Sequence, residues 1–455
     1  MKVVLLSAYD LGRQPFGLAS PAAWLRKAGA EVSCQDLSVD RLDEAPIRSA
    51  DLVAFYVPMH TATRIAVRTL ERVKSLNPAA HLCFYGLYAP VNEPYLRRLG
   101  VQTLLGGEFE EGIVELARRL AAGEGGDPRQ QGPVVSLKRL KFEVPDRSGL
   151  PELSRYARLA LGDGRIRTVG YTEASRGCKH LCRHCPVVPV YQGVFRVVQR
   201  EVVLEDIRRQ VARGARHITF GDPDFFNGVR HAVQLVKSLH GEFPHLTYDV
   251  TIKVEHLLKH ASHLPALRDT GCLFVTSAVE SIDDRVLQIF DKGHTREDFL
   301  RVVRQFREVG LNLNPTFVTF TPWATIEGYR ELLSLLLELD LVEQVSPVQL
   351  AIRLLIPAGS RLMELPAVRE AVAGFDEAAL SHLWEHEDPR VDRLHLDVLD
   401  IVKSGEARGE SRRQIFAGVW RAAHLASGVE EADIPDLPVL PSRSAIPFLT
   451  EPWYC

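Results

Sequence analysis

Short apolar runs alternate with helical patterns along most of the 455 residues, and that alternation restricts the chain to layered α/β architectures. In the amino-terminal quarter the runs fall at residues 3–7, 31–35, 52–57, 81–85 and 102–105, with helical patterns at 20–28, 63–75 and 92–99. This pattern predicts a doubly wound parallel sheet, whose ligands bind at the carboxyl ends of the strands. Those ends, at 8–17, 58–63, 86–90 and 106–108, are rich in glycine, proline or small polar residues, and Gly12, Gly17, His60 and Gly86 are their candidate ligand contacts.

A second alternation begins near residue 168, with runs at 168–174, 217–221, 247–252, 272–277, 312–320 and 345–355 and helices such as 204–213 and 296–309. Six βα units predict a partial barrel. The segment AGEGGDPRQQG at 122–132 has no hydrophobic period and reads as a flexible connector. The expected division is a Rossmann-like domain at 1–122, a linker at 123–167, a barrel at 168–357, and a mostly helical region with a proline-rich tail at 358–455. At ~100–200 residues per domain, this length excludes a single small module.

With 55 Lys plus Arg against 58 Asp plus Glu, the net charge of -3 gives no pull toward nucleic acid or anionic lipid. No apolar run approaches the ~20 residues of a membrane span, and MKVVLLSAYD reaches a polar residue too early for a signal peptide. A cytoplasmic protein without nucleic-acid or membrane partners is expected.

Three of the seven cysteines, Cys178, Cys182 and Cys185, are packed into SRGCKHLCRHC directly after the first run of the second alternation. In a reducing compartment such a cluster means metal or redox chemistry more often than disulfides. Three thiolates leave a four-ligand iron–sulfur shell incomplete, so one iron is left open to another ligand. The alternative is a zinc knuckle completed by His180 or His184. Cys34, Cys83 and Cys272 sit in apolar runs and read as core packing.

Cys-x3-Cys-x2-Cys after the first strand of a partial TIM-like barrel resembles the radical S-adenosylmethionine (SAM) superfamily. The resemblance implies a 4Fe-4S cluster on the three cysteines, whose unique iron chelates SAM, and a reductant such as flavodoxin or ferredoxin. It also places cofactor contacts at strand ends: Gly221, Asp222 and Asp224 in FGDPDFF, and Lys253 and Glu255 (with His256) in TIKVEHL. Glu280 and Ser281 follow in VESIDD, with Lys292 beyond, and Gln349 and Arg353 lie on the last strand, flanking adenine. The usual Gly-Gly-Glu is replaced by Gly-Asp-Pro-Asp. Strand-end acids and amides equally serve as helix caps. Arg353, in an apolar strand, needs an anionic partner, for which a substrate carboxylate is a candidate.

A doubly wound domain ahead of such a barrel resembles the cobalamin-binding subfamily, which makes cobalamin a candidate cofactor. The loop AYDLGRQPFG lacks the Asp-x-His-x-x-Gly motif for cobalt ligation, so His60 is the strand-end histidine left to face a corrin. The alternative is a domain kept for docking or stability. More narrowly, LGRQPFGLASPAAWLRKAG, SRGCKHLCRHCPVVPVY and PFLTEPWYC resemble radical SAM proteins that end in Cys-Sec-Ala-Glu-Pro or Cys-Cys-Ala-Glu-Pro. That likeness makes Cys455 the first half of an expected Cys-Sec pair, a catalytic nucleophile on a tail continued past an unread UGA codon. The leading expectation is a cobalamin-dependent enzyme transferring a methyl or related group to a small molecule. Its rivals are a cobalamin-independent enzyme abstracting hydrogen and a non-catalytic metal scaffold or redox sensor. The WEHEDP segment at 384–389 is read either as a cap over the barrel or as a solvated face.

Overall fold

A computed structural model describes residues 1–123, 134–429 and 446–450. The first sheet is wholly parallel and contains β1 (Lys2–Ser7), β2 (Glu31–Asp36), β3 (Leu52–Tyr56), β4 (His81–Tyr85), β5 (Thr103–Gly107) and β6 (Val134–Ser136). Its order, β2-β1-β3-β4-β5-β6, changes direction at β1. Neighbouring loops therefore part between β1 and β3 and leave a crevice above their carboxyl ends. β1 and β3 through β5 are buried on both faces because helices cover both sides. Phe16–Lys27 and Glu110–Ala121 pack on one side and His60–Leu76 on the other. β6 falls where the sequence suggests a linker. It is largely exposed and three residues long, too short to give a periodic signal.

The second sheet begins with β7 (Arg158–Ala160) and β8 (Ile166–Thr172). A short antiparallel pair, β9 (Ser175–Gly177) and β10 (Phe195–Val197), then brackets the cysteine loop. β11 (His217–Phe220), β12 (Thr247–Thr251), β13 (Cys272–Glu280) and β14 (Asn312–Phe317) extend β8 in parallel. The helix Arg296–Val309 illustrates how sequence places an element here. Thr295 and Asp298 form a capping box, and Gly310 takes the left-handed conformation (φ 73°) that ends it.

The expected sixth barrel strand at 345–355 is replaced by a 3-10 turn, Pro347–Leu350, and a single bridge between Phe320 and Arg353. Pro347 and the buried Gln349 cause this break. The proline offers no N–H to a ladder, and the Gln349 side chain takes the Phe317 N–H that a strand carbonyl would accept (3.0 Å).

Beyond residue 358 the region is mixed. A hairpin of β15 (Val372–Asp376) and β16 (Ser381–Trp384) precedes the helices Pro389–Ala407 and Arg412–Ala426. β17 (Phe448–Leu449) returns to pair antiparallel with β7, making a sheet ordered β14-β13-β12-β11-β8-β7-β17. β7 is antiparallel to β8, so β17 runs in the direction of β8.

Candidate active site

Every second residue of a strand shares a face, so Thr219, Asp249, Thr251, Thr276, Asn314 and Thr316 line the inside of the curled second sheet. They bound a cavity of about 230 Å³, bordered also by Arg412 and by Phe448 and Leu449 of β17. Asp249 is the lumen carboxylate. One of its oxygens accepts from His217 Nε2 (2.8 Å) and Thr219 Oγ1 (2.6 Å). Three polar atoms that border this cavity, Arg13 Nε, Asn314 Oδ1 and Gln344 Oε1, are buried without a hydrogen-bond partner. Such orphans are costly unless a ligand or water meets them.

The cysteine loop stands at the carboxyl end of β8. Backbone bonds hold it, with Cys185 N–H donating to Cys182 O (3.2 Å) and Arg183 N–H to Phe290 O (2.8 Å). Asn227 braces the first cysteine by accepting from Lys179 N–H (3.3 Å) and donating to Gly177 O (3.3 Å). Burial pushes the Cys185 thiol up to about 12; the neighbouring Cys182 and Cys178 push it further and Lys292 opposes them. The three thiols thus share one space.

Cys178, His180 and Asp224 place one ligand atom each within 4.8 Å of one another, while the three Sγ atoms are not all that close. Tetrahedral zinc, with Zn–S near ~2.3 Å, would draw all its sulfurs closer than that. His184, the other zinc candidate, is engaged by Glu280 (3.1 Å) and stacks on Phe290. Three thiols on one loop, with His184 engaged elsewhere, fit a multi-iron cluster.

Around the loop lies an ionic shell, part of which the sequence reading reached. Glu280 ends β13 with a left-handed backbone (φ 69°), rare for a residue with a side chain and worth ~1–3 kcal/mol of strain. Although burial disfavours its charge, Lys292 (3.3 Å) and His184 hold the Glu280 carboxyl down to about 2. Asp224 is also held low against burial, here by His180 and His256, with His256 Nδ1 at 2.6 Å. Lys253 Nζ meets His180 Nδ1 and Glu255 Oε2, each at 3.2 Å. Asn227 was missed as a site residue, and His180 and His184 were named only as ligands of the zinc alternative. Their only signal was adjacency to the cysteine motif or to Asp224.

The other sequence candidates take varied places. Asp222 borders the lumen, but its carboxylate accepts from Ala174 N–H (2.9 Å) and Ser175 Oγ (2.6 Å), so it shapes the loop ahead of the cysteines. Gly221 lets Tyr171 close in, since a Cβ there would lie 1.8 Å from Tyr171 Oη. Gln349 borders the lumen from the 3-10 turn. Ser281 accepts from Asp283 N–H (3.1 Å) and lines an outer groove with Glu280.

Arg353 requires correction. Its guanidinium lies 3.6 Å over the Trp384 ring and pairs with Asp392, so its anion is internal and neither adenine nor a substrate carboxylate is its partner. Within WEHEDP, Trp384 is buried and His386 reaches the Ala324 carbonyl (2.8 Å), so this part of the segment packs against the barrel. His60 Nε2 faces the Ala379 carbonyl, and burial lowers its pKa. Cys455 lies outside the described residues.

Gly12 (φ 67°) and Gly86 (φ 109°) turn the chain at the ends of β1 and β4. The crevice there holds a cavity of about 200 Å³ bordered by Asp10, Arg13, Met59, Gly86, Phe109 and Glu173. Drug-sized ligands already require ~300–1,000 Å³, so this cavity is smaller than a corrin with its nucleotide.

Hopanoid C-3 methylase of Methylococcus capsulatus is 24% identical over 327 residues, which are 68% of this chain and 62% of that protein. The chain thus spans less than two thirds of this relative's length. Two solved structures share the fold. OxsB, a cobalamin-dependent SAM radical enzyme with aqua-cobalamin bound, superposes with a TM-score of 0.71 at 16% identity, over 89% of this chain and 67% of that one. TsrM from Kitasatospora setae, a radical SAM methyltransferase with tryptophan and a SAM analogue bound, gives 0.57 at 19% identity, over 75% and 72%. Residues 172–336, the half-barrel with its three-cysteine loop, match the Radical SAM superfamily, and with it come a 4Fe-4S cluster and SAM as cofactors.

Proposed function

We propose that this chain is a radical SAM enzyme in which Cys178, Cys182 and Cys185 hold the cluster and a small polar molecule reacts in the lumen below it. The observation that carries this reading is the trio of neighbouring thiols on one loop at the carboxyl end of β8, next to β11, whose Thr219 and Phe220 border the polar cavity. When bound, such a cluster supplies one electron that splits the SAM sulfonium into methionine and a 5′-deoxyadenosyl radical.

The chain's own residues orient the reactants. Lys292 balances the thiolate charge, and its pairing with Glu280 keeps it protonated despite burial. Asp224, fixed by His180 and His256, and Lys253 present a carboxylate and an ammonium beside the first cysteine for the amino and carboxylate groups of SAM. Asp249 and the amides of Asn314 and Gln344 accept from a substrate in the lumen, of which β17 forms part of the wall. Cys455 is a proposed tail thiol: β17 heads toward the end of β8 that carries the cysteine loop, and a Cys455→Ser chain that retains full turnover would remove it from the mechanism.

Anaerobic reconstitution with iron and sulfide, followed by dithionite and SAM, tests the reading. The expected result is 5′-deoxyadenosine from the native chain and none from Cys182→Ala. Iron bound without SAM cleavage would leave a metal scaffold or sensor. The paired-sheet architecture shared with OxsB and TsrM favours a second reading, cobalamin-dependent methyl transfer. That reading requires the crevice between β1 and β3 to open well beyond its present volume.

A further inference from the structure

We propose that the ligand end of the amino-terminal sheet is filled by the chain's own aromatic rings, and that this domain holds the cysteine loop in place without retaining cobalamin.

At the carboxyl ends of β3 and β4, and just past β5, stand Tyr56, Tyr85 and Phe109, three rings where a ligand-binding sheet would need small residues. Their centroids are 5.0–6.1 Å apart, in mutual contact, and none of the three is more than 8% exposed. Tyr56 lies flat on the helix Phe16–Lys27. A Cβ at Gly17 would stand 2.2 Å from its Cζ, so the glycine gives room to the tyrosine and not to a ligand. Tyr85 donates its hydroxyl to Gly17 O at 2.8 Å, which satisfies the polar end of a ring that burial would otherwise penalise. Helix and strands are thereby locked face to face.

Arg176 joins this plug to the half-barrel. It is 6% exposed, stands two residues before Cys178, and lies over Phe16 (5.4 Å) and Phe109 (5.2 Å). It pairs with Glu110 (2.6 Å) and Glu108 (3.3 Å) past β5 and with Glu173 (2.7 Å) past β8. Tyr191, beyond the cysteine loop, donates to Glu108 (3.3 Å). Three carboxylates and three aromatic faces, the third being Phe142 at 5.0 Å, surround this buried cation. Lodging a corrin here would mean breaking that set and moving three buried rings, in addition to enlarging a cavity of about 200 Å³. Buried charges stripped of partners are penalised heavily, so the packed arrangement wins.

This inference stands whether or not the half-barrel cleaves SAM, and its test reads the corrin directly. The full chain, reconstituted anaerobically so that its iron–sulfur absorbance verifies folding, is incubated with excess hydroxocobalamin and desalted, with OxsB treated in parallel. OxsB is expected to keep the corrin bands. This chain is expected to keep less than a tenth as much per mole, and its thermal midpoint should not move with added hydroxocobalamin. Corrin retained at one per chain, or a midpoint raised by several degrees, overturns the proposal. A second variant, Arg176→Lys, separates positioning from general stability. It keeps the charge but loses the planar fork, so the reduced-cluster EPR signal should broaden while the urea midpoint changes little. An unchanged signal would overturn the positioning half.

Discussion

Arg147→Ala should destabilise the junction between the two sheets by ~3–5 kcal/mol, the cost of leaving a buried charge unpaired. Arg147 is bidentate to Asp206 (2.8 and 2.9 Å) and also donates to Gln14 Oε1 (2.8 Å) and Tyr171 O (2.6 Å). The side chains of the pair are 3% and 1% exposed, so neither water nor salt screens them. Once the guanidinium is gone, Asp206 keeps only the Gln210 amide at 3.1 Å. A loss of ~4 kcal/mol is a nearly thousandfold shift toward the open form at ~1.4 kcal/mol per decade. The assay is urea unfolding followed by circular dichroism, with proteolysis between residues 123 and 134 as a second reporter. Arg147→Met combined with Asp206→Leu removes both charges and should recover most of the loss, because the penalty belongs to the orphaned carboxylate. A cost below ~1 kcal/mol for Arg147→Ala, or a double variant no better than the single, would refute this account.

Burial raises Asp10 to about 7 from 3.8, with Arg13 opposing, so its contribution to stability is complete below pH ~4 and lost as pH rises through 7. Asp10→Asn should therefore be more stable than the native chain at pH 8, by up to ~4 kcal/mol, with the gap vanishing near pH 4; equal stability at pH 8 would contradict it. Gly221→Ala should unseat Tyr171, whose Oη would lie 1.8 Å from the new Cβ, and a soluble variant with an unchanged urea midpoint would show the approach is not required. Arg353→Lys loses the planar stack on Trp384 and should cost ~1–2 kcal/mol while SAM cleavage proceeds at the native rate; a lost rate with native stability would restore Arg353 to the site.

Period and punctuation made the parallel strands of both sheets legible, since β1 through β5 and β11 through β14 alternate with helical patterns and are bounded by glycine, proline or polar residues. β7, β9, β10 and β17 escaped because strands of two or three residues carry no period and are fixed by partners far along the chain. The cysteine loop was readable because its chemistry depends on spacing. Most members of its ionic shell were named from strand ends, but their pairing was not readable, because Lys292 reaches Glu280 only through the left-handed turn that ends β13. Arg353 misled for a related reason: an arginine among apolar residues announces that a partner exists, and only the tertiary fold shows the partner to be Asp392. The tyrosines of β3 and β4 looked like core residues, and they are; what the pattern hides is that this core extends into the place where the fold offers a crevice.

β17 also has a kinetic side. It completes the lumen wall by pairing with β7, nearly 290 positions earlier, so the curled sheet keeps an open flank until residues 448–449 have been made. Contacts of such long range form late, and an unpaired edge beside a polar cavity is a template for wrong pairing in the meantime. Cluster assembly on the cysteine loop can precede that pairing, while the flank of the sheet beside β7 is still open.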